Sequence, residues 1–456
     1  MHETLNALLA CPRCDKTPLL PHDNALRCTA CQADFPLLDG MPWLFAEPEA
    51  SLGEWRGRMR FALLSLGHEV SRLDAELRDP ALRPLTRGRL ERYKSALEQH
   101  SRALQDLMQA LDIQNPGGEY HTYLALRTRL PVDQGLNTYY ANVHRDWCWG
   151  DDENQASIRQ LRSVLGDNTT LGKVLVLGAG AGRLAYDLHR QLDCSLTVAL
   201  DFNPLLLKVA STVTRGGELQ LHEFPIAPRT LEDDVVLRTL SAPEPVGENF
   251  HLVLGDALRP PFASATFDTV VTPWLIDIIN QDLGSLGARI NNLLRDRGRW
   301  LNFGSLAFGG PLRARHYSAE ETLEIVSDCG FSTALVAEAT IPYMCSPASR
   351  HGRQETVFTF SAQKQRKVAA RERHRALPDW IVTGKEPVPL SASFRSQAMS
   401  TQIYAFIMSL IDGRRTIPDM AEVLEQRKLM SRAEAEPAIR SFLTRMYDDA
   451  QKSSAL

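Results

Sequence analysis

The stretch LGKVLVLGAGAGRLAYDL, Leu171 to Leu188, decides how the rest of the chain reads. An apolar run of strand type, KVLVL, meets Gly178, Ala179, Gly180, Ala181 and Gly182, and Arg183 then opens a run with helical spacing. A strand that turns through glycines into a helix lets a ligand approach the backbone at the carboxyl edge of a parallel sheet, next to a helix N-terminus. Taken alone, G-x-G-x-G is shared by dinucleotide-binding folds in general, so its surroundings must discriminate.

Outward from that point, β-rich and helical runs alternate between Gly172 and Gln363, which predicts an α/β fold with a mostly parallel, Rossmann-like sheet. The expected strands are KVLVLGA, SLTVALD, HLVLGDA, FDTVVTPWLI, GRWLNFGSL, TALVAEATI and ETVFTFSA. In SLTVALDFNP, Asp201 closes the second strand, followed by Phe202 and Asn203, and a carboxylate there can accept both hydroxyls of an adenosine ribose. HLVLGDA places Asp256 and Ala257 at another strand end, where class I methyltransferases meet the adenine amino group. FDTVVTPWLID, with Thr272 and Pro273, has the pattern of their fourth strand. Any one of these acids also suits a strand-end turn or a helix cap. As an ordered set they favour S-adenosylmethionine over NAD as the cofactor, because a dehydrogenase leaves the last two elements unexplained.

The N-terminal 48 residues carry Cys11 and Cys14, then Cys28 and Cys31. Two C-x-x-C turns can aim four thiolates at one point, the arrangement of a structural Zn²⁺ with no open position for substrate. The other four cysteines are scattered, which favours metal over disulfides. Residues 52–135 read as a helical hairpin, 136–363 as the catalytic-type domain and 364–377 as a basic linker. Residues 378–456 read as a small helical or winged-helix domain. A chain of 456 residues with 44% hydrophobic content can bury more than one core. With a formal charge of −4, nothing at whole-chain level points to nucleic acid or a membrane surface. No run approaches the roughly 20 apolar residues of a spanning helix, and a cytoplasmic location is expected.

Three resemblances follow from these residues. LLACPRC to DGMPWLF resembles the small zinc-ribbon family that includes the activator subunit of RNA and protein methyltransferases. From Asn137 to Gln363 the chain resembles the carnosine N-methyltransferase family, in NVHRDW, GAGAGRLAYDL, LQLHEFP, VVTPWLIDII, RWLNFGSL and SAEETLEIVSDCGF. LIDGRRTIPDMAEVL resembles PqqD-like and winged-helix modules. The second resemblance implies that Asn142 and Arg145 approach the cofactor, that Asp277 faces an acceptor imidazole and that Tyr343 helps to form the acceptor pocket. It also implies cofactor contacts from the glycine loop, including Arg183. The family's histidine after the fifth strand is replaced here by Ala307-Phe308-Gly309. Independently of any family, a carboxylate at Asp277 could hold one imidazole N–H and leave the other nitrogen free to attack a methyl group.

The expected function is methyl transfer to a small imidazole- or amine-containing acceptor. The alternatives are a methyltransferase of a protein, peptide or RNA that docks through the ribbon and C-terminal domain, and a non-catalytic scaffold that binds the cofactor. The ribbon and the C-terminal domain are where a protein partner or a second copy would be expected to bind.

Overall fold

The computed structural model describes residues 3–113, 136, 138–166, 169–279, 282–309, 312–332, 334–369, 387–389 and 391–454. The end of the expected hairpin, 114–135, and most of the basic linker, 370–377, lie outside the described residues. The chain divides into two compact units, Met1–Leu66 with Ala81–Ala376, and Gly67–Pro80 with Leu377–Leu456.

The first unit begins with four short strands, β1 (Leu19–His22), β2 (Ala25–Cys28), β3 (Asp34–Leu38) and β4 (Met41–Leu44). The paired cysteines lie on two turns of the same construction. Asp15 N–H donates to Cys11 O and Gln32 N–H to Cys28 O, while Cys11 N–H reaches Lys16 O and Cys28 N–H reaches Ala33 O. Each turn needs a left-handed residue, supplied by Asp15 (φ 62°) and Gln32 (φ 58°), and Asp is among the residues that tolerate that conformation.

Nine further strands follow: β5 (Thr170–Leu177), β6 (Asp193–Asp201), β7 (Leu219–Glu223), β8 (Val236–Leu240), β9 (Phe250–Gly255), β10 (Phe267–Pro273), β11 (Leu294–Gly304), β12 (Leu335–Tyr343) and β13 (Arg353–Gln363). Apart from the β7–β8 hairpin they join one sheet, in the order β1-β2-β3-β4-β9-β6-β5-β10-β11-β13-β12. From β9 to β11 the pairs are parallel, and β13 runs antiparallel between β11 and β12. Numbered by appearance within the domain this is 3-2-1-4-5-7-6, a Rossmann-like sheet of the class I methyltransferase type.

All seven strands expected from the sequence are present. The β7–β8 hairpin was not among them, because LQLHE and VLRTL are short and mix polar with apolar residues. The ribbon does not stand apart from the sheet: β4 pairs in parallel with β9, Trp43 opposite Leu254 and Leu44 opposite Gly255. Trp43 is fully buried, and its indole N–H donates to Ser51 Oγ at 2.5 Å.

Helices cover both faces of the sheet, so its central strands are apolar throughout; Val174 to Leu177 are all fully buried. The helix Pro204–Thr214 starts where Asn203 accepts from Leu205 N–H (3.0 Å). Leu283–Leu293 starts at Asp282, which accepts from Ser285 N–H (3.0 Å), and Ala319–Asp328 carries a Ser318/Glu321 capping box. In the N-terminal part, Pro48–Glu76 and Pro84–Leu107 are the two helices expected there.

The second unit contains the helices Ala392–Ser409, Ile417–Gln426 and Arg432–Ser454. Ile407, Leu410, Met420, Leu424 and Ile439 are buried in its core, and no strand occurs among the described residues beyond Gln363. Among the described residues no helix is long and apolar enough to cross a membrane.

Candidate active site and metal centre

The glycine loop after β5 is tied to the end of β6 by backbone bonds: Gly178 N–H and Ala179 N–H both donate to Leu200 O, at 2.9 and 3.0 Å. Gly180 N–H donates to Asp201 Oδ2 (2.8 Å), and Asn203 N–H donates to Asp201 Oδ1 (2.8 Å). A carboxylate offers about four lone-pair directions, so Asp201 keeps acceptor capacity after both bonds. Burial pushes its carboxyl up to about 6, against the lowering effect of those backbone donors. Gly180 has φ 59°, and a Cβ there would meet nothing within 4 Å, so a ligand can lie against that stretch of backbone.

A cleft of about 990 Å³, its open mouth included, lies at these strand ends. Of the residues singled out in the sequence, Asn142, Arg145, Gly178, Ala179, Gly180, Asp201, Phe202, Ala257, Pro273 and Tyr343 line it. The remaining six do not. Gly182 (φ 87°) turns the chain into the helix Arg183–Gln191, where a Cβ would meet that of Ala210 at 3.1 Å. Arg183 is buried against Trp147 and bonded to Asp187 (2.9 Å), Asp151 (3.1 Å) and Asp146 O (2.6 Å). Asn203 caps a helix and donates to Leu136 O. Asp256 accepts from Leu258 N–H in a strand-end turn. Thr272 accepts from Trp300 Nε1 (3.0 Å) inside the sheet.

Asp277, the sixth, is no helix cap, because that place is held by Asp282. Its Oδ2 accepts from Ser305 Oγ (2.7 Å) and from Ala307 N–H (3.1 Å), both in the segment that follows β11. Its Oδ1 is buried with no hydrogen-bond partner among the described residues, and burial raises its carboxyl above the usual range. A buried acceptor left open in this way costs stability unless a ligand or an ordered water donates to it.

Sequence reasoning missed part of the lining. Trp274 packs against Tyr343 with the rings tilted at 56° (centroids 4.8 Å) and meets Phe303 edge-on (5.6 Å). It is held at φ 48° by a bond from its N–H to Phe303 O (2.7 Å), and a non-glycine residue in that region suggests a functional constraint. Its position inside VVTPWLID was the available signal. Asp146 and Glu153 also line the cleft, bracketing Arg145 at 2.7 and 3.0 Å. Asp146 lies inside NVHRDW next to Arg145, whereas Glu153 lies in none of the stretches singled out in the sequence.

In the ribbon the four sulfurs lie within 4.8 Å of one another, with Cys11–Cys31 at 3.6 Å and Cys14–Cys28 at 3.5 Å. A tetrahedral ion with Zn–S bonds of about 2.3 Å places its ligands about 3.8 Å apart. The donor set therefore matches a closed, four-thiolate Zn²⁺ centre.

No family model and no curated protein matches the chain. Solved structures similar to it include the complex between the Haloferax volcanii Trm112 methyltransferase activator and a methyltransferase, at 13% identity and TM-score 0.34 over 52% of this chain and 99% of that one. Phosphoethanolamine N-methyltransferase 2 of Haemonchus contortus, in complex with phosphomonomethylethanolamine and S-adenosylhomocysteine, is similar at 15% identity and TM-score 0.33, over 52% of this chain and 62% of that one. A SAM-dependent methyltransferase of Thermotoga maritima is similar at 13% identity and TM-score 0.29, over 49% of this chain and 99% of that one.

Proposed function

We propose that the chain is an S-adenosylmethionine-dependent methyltransferase acting on a nitrogen of a small imidazole- or amine-containing acceptor. One observation carries the reading of the donor: Asp201, with acceptor capacity to spare, stands beside the open backbone at Gly180 in a cleft at the carboxyl ends of the parallel strands. When bound, S-adenosylmethionine supplies an electrophilic methyl group on a sulfonium sulfur. Asp201 would accept the ribose hydroxyls, Phe202 and Ala257 would flank the adenosine, and the Asn142 and Arg145 side would meet the amino-acid end.

On the acceptor side, the open Oδ1 of Asp277 and the aromatic group of Trp274, Phe303 and Tyr343 support a flat, basic nitrogen compound. Asp277 would take one N–H of the acceptor and stabilise the positive charge that grows on it during transfer. The aromatic walls would exclude water and favour that cation. In the ribbon, Cys11, Cys14, Cys28 and Cys31 would hold Zn²⁺ in a structural role that leaves no coordination position for chemistry.

Purified protein incubated with methyl-labelled S-adenosylmethionine and a cell extract tests this. Label on small imidazoles or amines, carnosine included, is the expected result. Label confined to proteins, peptides or RNA would overturn the acceptor class, and binding of the donor with no label anywhere would leave a scaffold.

A further inference from the structure

The charges around the cleft are unbalanced. Among the described side chains lining it, Arg145 is the one cation, and two carboxylates share it. Asp146 Oδ1 receives Nε (2.7 Å) and Nη2 (2.6 Å), and Glu153 Oε1 receives Nη1 (3.0 Å). The second oxygen of Glu153 accepts from Met344 N–H at 2.8 Å, which fixes that carboxylate in the wall beside Tyr343. Asp201 adds a further negative charge, met only by backbone N–H groups. Cations that border the cleft do not offset this. Arg183 is matched by Asp187 and Asp151, and Arg353, which lies 4.5 Å over the Tyr343 ring, is matched by Glu355. Asp277, between the lining residues Leu275 and Ile278, is another acid with no ion-pair partner among the described residues.

We infer, on the footing of the methyl-donor reading above, that this cleft discriminates by charge: it holds the cationic sulfonium donor in preference to the uncharged thioether that transfer leaves behind, with Glu153 as the specificity-determining residue. In a partly desolvated cleft a surplus of carboxylate acts on a ligand cation far more strongly than it would in water, and the faces of Trp274 and Tyr343 act in the same direction. During transfer the S–CH3 bond breaks with its electron pair staying on sulfur, and the acceptor lone pair forms the N–CH3 bond. The positive charge thus passes from sulfur to nitrogen. The spent donor loses its attraction to the wall at that moment, which favours its release and weakens inhibition by product.

Binding of three probes to the full-length protein at pH 8, measured by titration calorimetry, tests this. The probes are S-adenosylmethionine, S-adenosylhomocysteine and sinefungin, which carries an ammonium in place of the sulfonium. The two cations should bind at least about tenfold more tightly than the thioether, a difference of about 1.4 kcal/mol. Glu153→Gln keeps an oxygen for Met344 N–H but removes the charge; it should weaken both cations and leave the thioether within about twofold, compressing the ratio. A wild-type protein that binds the thioether as tightly as the cations overturns the inference, whether or not the variant folds. So does a variant that weakens all three equally, which would mark Glu153 as a structural tie. If the wild type binds none of the three, the donor reading itself fails.

Discussion

The backbone N–H of Gly180 donates to Asp201 Oδ2 at 2.8 Å, so the loop after β5 and the end of β6 form one hydrogen-bonded unit around the place where a ribose would lie. Asp201→Asn leaves one of the two backbone donors facing an amide NH2 instead of an oxygen. The expected result is a loss of about 1–3 kcal/mol in stability and a fall of at least about tenfold in S-adenosylmethionine affinity. Denaturation together with calorimetric titration checks both.

Affinity for the donor should also depend on pH through the same residue. Burial places the Asp201 carboxyl at about 6, so acidification below that value converts an acceptor-only group into a donor. S-adenosylmethionine should bind more weakly at pH 5 than at pH 7.5, and Asp201→Asn should lack that dependence.

Asp277→Asn preserves shape and the bonds from Ser305 and Ala307 but removes the charge that we propose acts on the acceptor. Donor affinity should stay within about twofold while the transfer rate drops by roughly two orders of magnitude, the usual weight of a positioned acid or base. Single-turnover transfer of labelled methyl to an active extract fraction measures the second quantity, and full activity in the variant would remove Asp277 from its role.

The ribbon carries structural consequences for the whole first unit, because β4 is hydrogen-bonded to β9, whose end leads into Ala257. Cys28→Ser should abolish stoichiometric zinc and cost more than about 4 kcal/mol, as loss of a structural metal does. Metal analysis and thermal melting of the two proteins decide the point; wild-type protein without zinc at full stability would contradict it.

Acid should weaken the fold through two buried histidines. Burial lowers His100 to about 4 and His144 to about 3, so both stay neutral in the folded protein where the unfolded chain takes up protons near 6.5. Their stability contribution is complete above that pH and declines as pH falls towards the folded values, by about 2 kcal/mol each between pH 6.5 and 5. Asp201 acts with the opposite sign, because its raised carboxyl gains a proton on folding over part of that range. The informative measurement is therefore the difference in denaturation midpoint between wild type and His144→Phe at the two pH values, which should narrow on acidification.

Much of the fold was legible because its signals are local. KVLVLGAGAGR announces a strand, a turn that needs glycine and a helix within eleven residues, and C-x-x-C repeated after thirteen residues fits two identical turns. Asp201 and Ala257 were found because strand ends in a parallel sheet gather on one edge. The β7–β8 hairpin escaped because short, half-polar strands owe their formation to pairing and not to composition.

By itself the sequence determined the strand order's raw material, the glycine loop, the acid that follows it and the four metal-type thiols, all features of consecutive residues with fixed chemistry. Only the tertiary structure decided that Arg183, Asn203 and Thr272 bond within the fold instead of lining the cleft. It also decided that Glu153 and Met344, 191 residues apart, share a bond in the cleft wall, and that the ribbon strand completes the edge of the main sheet. Side-chain partners of this kind depend on which distant elements pack together, and burial then sets both their charge balance and their affinity for protons.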